Sequence, residues 1–518
     1  MTPRPQFTLL SRLHQLVTID KMMFVRKLGA VVLLLAGCVS AAVVTELDLT
    51  NAIVSPDGFN KSAIVVNGLL PGTVITGNKG DNFQITVKNQ LTDESMNRST
   101  SVHWHGILQH HSNEMDGTAF VTQCPIAPGH SFTYNFATPG QAGTFWYHSH
   151  FRLQYCEGLR GAMVLYDPHD PYLDMYDVDD ESTIISLVDW YHINAFQVTP
   201  TTIPDSLLIN GLGRYPGGPS SPLAVINVVQ GKRYRIRLLS MACKPEYLFS
   251  IDNHTFTVIE ADGELTEPLV VDSIQISAAQ RYSFILEANQ TVDNYWIRVD
   301  PTTYPSSFDN NMNSAILRYS GAPVADPPTS TWTPINPLAE YNLHALVNPG
   351  APGVAGVGNA DVNLNLVAQI NLTTARFQIN GFSYQSPETP VLLQILSGAL
   401  NVAQLQPQGQ LLAAAHPFHL HGHKFDVVRS AGTTTYNYVN PVRRDTVSSG
   451  SAVDNVTIRF TTDNPGPWFL HCHIDFHLDQ GMAVVFAEDT QDTASSSPIN
   501  GPWNSLCPIY NGLPASEQ

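Results

Sequence analysis

Asn82-Phe83-Gln84-Ile85-Thr86-Val87 alternates polar and apolar side chains. A strand sends successive side chains to opposite faces, so this run has one apolar face and one wet one. Related runs recur as Ala63-Ile64-Val65-Val66-Asn67-Gly68, Tyr234-Arg235-Ile236-Arg237-Leu238 and Val456-Thr457-Ile458-Arg459-Phe460. Gly, Pro and Asn punctuate them, and 35 Gly with 36 Pro supply the turns. Long amphipathic helical windows are scarce. The pattern predicts an all-β chain of sandwich-like domains. Asp167-Pro168-His169-Asp170-Pro171 and the Pro-rich stretch from Ala322 to Pro337 read as linkers. They divide the chain into 43–170, 171–335 and 336–518, each suited to one β-sandwich. The Gly/Pro/Ala-rich segment Asn348 to Gly358 reads as a loop.

The full length of 518 residues is enough for two to four domains. Hydrophobic residues at 43% and charged ones at 14% exclude a disordered chain, and no collagen or heptad period is present. The formal charge of -18 argues against nucleic acid or an anionic membrane as partner. Residues 1–42 read as a secretory signal peptide. Arg26 and Lys27 precede an apolar or small stretch, Leu28 to Val44, whose core Val31 to Leu35 is short for a bilayer span. Val39-Ser40-Ala41 and Ser40-Ala41-Ala42 offer cleavage positions. A signal anchor is the alternative, and Leu35-Ala36-Gly37-Cys38 has the form of a lipoprotein cleavage box. Met22 or Met23 makes a more ordinary start than Met1. The mature protein is thus expected outside the cell, free of the membrane, with a formal charge of -22 once the five bases and one acid of residues 1–41 are gone. Asn-x-Ser/Thr sequons at Asn60, Asn97, Asn253, Asn289, Asn371 and Asn455 are the candidate glycan sites.

The chemistry lies in the histidines. Four non-overlapping His-x-His pairs occur: His103-Trp104-His105, His148-Ser149-His150, His419-Leu420-His421 and His471-Cys472-His473. On a strand, positions i and i+2 share a face, so each pair offers two imidazoles side by side. Neutral imidazole is a good copper ligand. One such pair is as often structural; four, two near each end of the chain, point to metal. Eight imidazoles can hold three copper ions as two, three and three ligands.

Cys472 lies between His471 and His473, so its sulfur faces the other way. His416, of opposite strand parity to His419 and His421, and His477 could complete a second set there, with Met482 as a weak axial thioether. Cysteine, two histidines and a distant methionine make a blue-copper electron-transfer set. An electron entering there can pass through Cys472 to His471 and His473. That arrangement suits four one-electron oxidations coupled to reduction of O2 to water. Setting aside Cys38 and Cys472, four cysteines remain, which allow three pairings.

At these positions the sequence resembles the multicopper oxidases, most closely the secreted fungal laccases. The matching blocks are His103 to Gly106, Gly143 to Arg160, His416 to His423 and His471 to Asp489, and the similarity spans about Val43 to the C-terminus. The resemblance implies three consecutive cupredoxin-like Greek-key β-sandwiches and four copper ions. By it, the type 1 copper takes His416, Cys472 and His477, and the type 2 copper takes His103 and His419. The type 3 pair takes His105, His148 and His473 on one ion, and His150, His421 and His471 on the other. Asp116 matches an acid that relays protons to reduced oxygen; the alternative is a turn residue before Gly117. The implied disulfides are Cys124–Cys507 and Cys156–Cys243, suited to an oxidising compartment. The implied substrates are phenols or aromatic amines with O2, and lignin breakdown, pigment formation and detoxification all use this chemistry. A monomer is expected.

Two positions depart from the family pattern. Many fungal laccases carry Leu or Phe where Met482 stands, so a low or medium potential is expected. Asp or Asn commonly follows the cysteine matching Cys243, where it can take the phenol proton; here Lys244 stands, which cannot do so while charged. Glu246 is the candidate substitute, and His477 the candidate electron entry point. A ferroxidase-type metal oxidase and a copper-binding protein without turnover are the rival readings.

Overall fold

The computed structural model describes residues 42–199, 202–244, 246–302, 314–328, 332–399, 410–411, 415–451, 454–515 and 517–518. The expected leader up to residue 41, with Cys38 and the alternative start codons, lies outside the described residues, while Ala42 begins the first strand. No helix among the described residues is long and apolar enough to cross a membrane.

The architecture is the expected one, all-β with three consecutive cupredoxin-like sandwiches. In the first, one sheet runs in the order Lys61–Val66, Ala42–Val54, Asn82–Asn89 and Ser131–Ala137. The other runs Ile75–Asn78, Arg160–Tyr166, Gly143–Ser149 and Val102–His105. The alternation at Asn82 to Val87 is obeyed: Phe83, Ile85 and Val87 are buried, while Asn82 and Gln84 are exposed. Both sheets feed one apolar cluster that includes Val102, Trp104, Tyr134, Phe145 and Tyr147.

A six-stranded and a five-stranded sheet form the middle sandwich. Its strand Arg233–Ser240 departs from the simple alternation, because both faces are buried. Arg235 pairs with Asp170 and Glu260, and Arg237 pairs with Asp179 at 2.7 Å and donates to Thr144 Oγ1 at 2.9 Å. The polar face of this strand therefore buries its charges in ion pairs, the condition under which buried charge is tolerated, and reaches the first sandwich through Asp170 and Thr144. The third sandwich holds the four-stranded order Thr446–Ser448, Pro417–Leu420, Gly466–Cys472 and Ala483–Glu488, with two three-stranded sheets. Its Leu420, Phe425, Val427, Val447 and Leu470 share a core with the middle sandwich.

The C-terminal helix Gly501–Asn511 returns to the first sandwich. Asn500 caps it by accepting the Trp503 N–H at 2.9 Å. So short a helix is marginal alone. It buries Trp503, Leu506 and Tyr510 in the first core, each burial contributing about 2 kcal/mol. The Cys124–Cys507 disulfide fastens it there, and Cys156–Cys243 joins the first sandwich to the second. Among the sequons, Asn60, Asn253, Asn289 and Asn455 are exposed, and Asn97 and Asn371 are half-buried.

Candidate metal centres

Strand register brings the four histidine pairs together. In the first sandwich His103 lies opposite His148, and in the third His419 lies opposite His471. Their ligand-capable atoms form three sets, the first two sharing His105: His103, His105 and His419; His105, His148 and His473; His150, His421 and His471. In the last set the Nε2 atoms face one another, His421 to His471 at 3.1 Å and His150 to His471 at 3.4 Å.

Most of the rings are held from their other nitrogen. His103 Nδ1 donates to Asp116 O at 2.8 Å, His148 Nδ1 to Ser149 O at 2.9 Å, and His419 Nδ1 to Asp445 O at 2.9 Å. His471 Nδ1 donates to Cys472 O at 3.0 Å, and His105 Nε2 to Asp445 Oδ1 at 3.2 Å. That leaves His103 Nε2, His105 Nδ1, His148 Nε2, His419 Nε2 and His473 Nε2 buried with no hydrogen-bond partner. Orphaned buried nitrogens are costly, and a ring fixed by one nitrogen while the other points inward is how proteins present imidazole to a metal. Burial, then neighbouring imidazoles, hold His105, His148, His421, His471 and His473 well below the usual histidine range. His150 is lowered to about 3, so these rings are neutral and ready as ligands.

The second set sits on the other side of the same strand. Cys472 Sγ is 3.6 Å from His416 Nδ1 and 3.7 Å from His477 Nδ1, and the two nitrogens are 3.2 Å apart. The centre of such a triangle lies about 2 Å from each corner, the length of a metal–ligand bond. Burial pushes the Cys472 thiol up, so a cation is needed to make it a thiolate. Burial also lowers His416, to about 4. Met482 is fully buried in the same apolar cluster as Cys472, and its carbonyl accepts the Cys472 N–H at 3.0 Å. Both sets fit copper: soft sulfur with two imidazoles in one, and imidazole alone in the other.

Asp116 is buried at the edge of the histidine cluster. Its Oδ2 accepts from His421 Nδ1 at 2.9 Å and from Thr118 Oγ1 at 2.6 Å. Burial alone would raise this carboxyl, but the His421 and His103 rings hold it well below the usual range. The turn that aims it needs Gly117: φ is +84°, and a Cβ there would lie 1.7 Å from Val102 O. A turn position and a place at the cluster thus coincide in Asp116.

Sequence reasoning missed several groups. Asp445, buried and paired with Arg281 at 2.7 Å and Lys424 at 2.6 Å, anchors His105 and His419, yet no motif surrounds it. Tyr155 OH, 3.5 Å from His473 Nδ1, is another. Asp475, inside the His471 to His477 block, is raised well above the carboxylate range by burial; its place between ligands was a signal that could have found it.

At the solvent side, His477 is half-buried with Nδ1 turned inward, so its exposure lies on the ring edge away from Cys472. Lys244 Nζ donates to Thr202 O at 2.8 Å, and after burial and His416 its charge helps lower His477. Glu246 does not supply a carboxylate at this mouth. It is 9% exposed and accepts from Gln275, from Ser277 at 2.8 Å and from Thr302 at 3.1 Å. On another side, a cavity of about 300 Å³ lined by Phe120, Phe151, Phe469 and Leu478 reaches His150.

A three-sandwich fold with these two side-chain sets defines a copper oxidase. Sequence profiles described as multicopper oxidase match residues 48–170, 181–322 and 361–492, and the chain belongs to the multicopper oxidase family. Within it the activity is that of a laccase, an oxidoreductase that couples oxidation of phenols to reduction of O2. Laccase-4 of Trametes villosa is 56% identical over 93% of this chain and 96% of its own. The laccase of Phlebia radiata is 55% identical over 92% of this chain and 95% of its own. Among solved structures, the laccase from Botrytis aclada aligns with a TM-score of 0.79 and 31% identity, covering 91% of this chain and 92% of its own. Fet3p, a multicopper oxidase that functions in iron import, aligns at 0.78 and 27%, covering 91% and 95%.

Proposed function

We propose a secreted, glycosylated, monomeric laccase with four copper ions and domains at 43–170, 171–335 and 336–518. His416, Cys472 and His477 would hold the type 1 ion, with Met482 beside it. His103 and His419 would hold the type 2 ion. His105, His148 and His473 would hold one type 3 ion, and His150, His421 and His471 the other. When bound, copper accepts electrons singly from phenols or aromatic amines and returns four to O2, giving water.

Cys472 is the observation that carries this reading. Its sulfur belongs to one ligand set, and the residues on either side of it belong to the other. The chain itself is therefore the shortest link between electron entry and the oxygen site. His477 offers its outer edge to the donor. Asp116 holds a proton-bearing His421 nitrogen and the Thr118 hydroxyl, so it is the group placed to pass protons toward the cluster. The cavity that reaches His150, lined by Phe120, Phe151 and Phe469 beside Arg152, Arg376 and Asp479, is the route we assign to O2.

A ferroxidase would need carboxylates at the edge of His477. Among the described residues, Glu246 is turned inward and Asp479 shares its cavity with Arg152 and Arg376. The test is copper content, an absorption spectrum and O2 uptake with a dimethoxyphenol. Four coppers per chain, an intense blue thiolate band and phenol-dependent uptake are expected. Uptake driven by Fe(II) but not by phenol would favour the metal oxidase, and a copper-loaded protein with no blue band would remove Cys472 from the mechanism. A hydrophobic leader absent from the secreted chain, and sugar on the exposed sequons, would be read by mass spectrometry.

A further inference from the structure

Asp445 stands behind two rings of the histidine cluster at once. Its Oδ1 accepts from His105 Nε2 at 3.2 Å, and its main-chain carbonyl accepts from His419 Nδ1 at 2.9 Å. That leaves His105 Nδ1 and His419 Nε2 to face the cluster. Arg281 fixes the carboxylate in turn: Nη1 and Nη2 donate to Oδ1 and Oδ2 at 2.7 Å each. Such a fork sets orientation as well as distance. Arg281 opens the strand Arg281–Glu287 of the middle sandwich, which contributes no residue to either ligand set. Its Nε donates to Thr144 O of the first sandwich at 3.0 Å, and its N–H to Asp262 Oδ1 of its own at 2.8 Å. Asp445 belongs to the third. One fully buried guanidinium thus ties all three sandwiches where the first and third bring their histidines together. The neighbouring chain is shaped around it: a Cβ on Gly106, the residue after His105, would lie 2.6 Å from Arg281 Nη2 and 2.8 Å from Asp445 Oδ2. Lys424 Nζ also donates to Oδ2, at 2.6 Å, but a point charge on a flexible stem does not orient the carboxylate plane.

We propose that Arg281 is a positioning residue for the type 2 copper site, through which the middle sandwich, lacking any ligand of its own, sets how tightly that site holds its ion. The proposal rests on the reading of His103 and His419 as the type 2 ligands. Without the fork, the Asp445 carboxylate keeps Lys424 on Oδ2 and the Thr446 hydroxyl on Oδ1 at 2.9 Å, and can turn about its own bond. His105 Nε2 then loses a fixed acceptor. The Asp445 segment, which carries the acceptor for His419, loses its tie to the first and middle sandwiches. Both rings gain freedom to rotate, and fewer molecules present their free nitrogens to one ion. The type 1 set is braced by other groups: Ser449 Oγ accepts the His416 N–H at 3.0 Å, and Met482 O accepts the Cys472 N–H at 3.0 Å. Losing the partner behind a ligating histidine weakens metal binding by about 10- to 100-fold. Arg281 acts one step further back, so a loss of about tenfold is expected.

The test titrates the copper-loaded protein with a copper chelator and follows two signals in each sample, the type 2 paramagnetic signal and the blue thiolate band. Arg281→Lys keeps the charge but not the fork. The chelator concentration that halves its type 2 signal is expected to fall about tenfold, while the blue band is lost where it is lost in the unaltered protein. Arg281→Met should fall further; if it does not fold, Arg281→Lys decides alone. Arg235→Lys alters another buried, ion-paired arginine of the middle sandwich, one paired with Asp170 and Glu260, and should leave both signals in place. That comparison separates positioning from a general loss of stability. A type 2 signal held as tightly in Arg281→Lys as in the unaltered protein, lost there in parallel with the blue band, or lost equally in Arg235→Lys overturns the proposal and leaves the laccase reading intact. An unaltered, copper-loaded protein that is blue but shows no type 2 signal would instead overturn the assignment of His103 and His419, and the proposal with it.

Discussion

Glu114 provides a measurement of what burial costs next to the oxygen site. It lies in the single turn Asn113–Met115, two residues before Asp116, and is 4% exposed with Oε2 unpartnered. Burial pushes its carboxyl from the ordinary 4.5 up to about 7. The folded chain therefore holds this proton more tightly than the unfolded chain does. Below about pH 4.5 both states are protonated and nothing is lost. Between 4.5 and about 7 the unfolded chain ionises first, so stability falls as pH rises; above about 7 the full penalty is present. The gap corresponds to about 3 kcal/mol. Glu114→Gln cannot ionise and escapes this slope. Its stability relative to the unaltered protein should rise by about 3 kcal/mol between pH 4 and pH 8, seen as a gain of several degrees in apparent Tm. The assay is calorimetry at matched scan rates across that pH range, because large chains unfold irreversibly. A difference between the two proteins that stays constant with pH would refute the reasoning.

Four further outcomes follow from the same geometry. Cys472→Ser should abolish the blue band and cut turnover at least about 1000-fold, while the type 2 copper signal persists because His103 and His419 remain; a surviving band would sink the ligand assignment. Asp116→Asn should slow O2 uptake about 10- to 100-fold, yet leave anaerobic bleaching of the blue band by phenol unchanged, as measured by stopped flow. Met482→Leu should raise the type 1 potential in a redox titration, since an apolar contact replaces a thioether. Replacing Cys124 and Cys507 together by Ser opens a link between residues 383 apart in sequence. It should cost about 2–5 kcal/mol, read as a lower Tm with an unaltered spectrum.

Strand periodicity made much of the site legible. Two-residue spacing put His103 with His105 and His419 with His421, and parity alone turned Cys472 away from its neighbours. Chemistry then distinguished a thiolate set from an imidazole set. The same periodicity misled at Tyr234 to Leu238, where Arg235 and Arg237 read as a wet face and are in fact buried against the first sandwich. Polarity in sequence does not say whether a charge meets water or a partner carboxylate. Glu246 was open for the same reason: its two-residue distance from Lys244 reveals nothing about Gln275, Ser277 and Thr302, which face it from other strands.

What the chain alone determined was therefore local: all-β character, four imidazole pairs, one thiolate between two of them, and the number of cysteines left to pair. Each follows from spacing of a few residues, which backbone geometry converts directly into direction. Tertiary structure decided which pairs meet and what stands behind them. His421 leans on Asp116 across 305 residues, and His105 on Asp445 across 340. Such contacts arise where the packed faces of separate sandwiches coincide, and no short-range period encodes that coincidence.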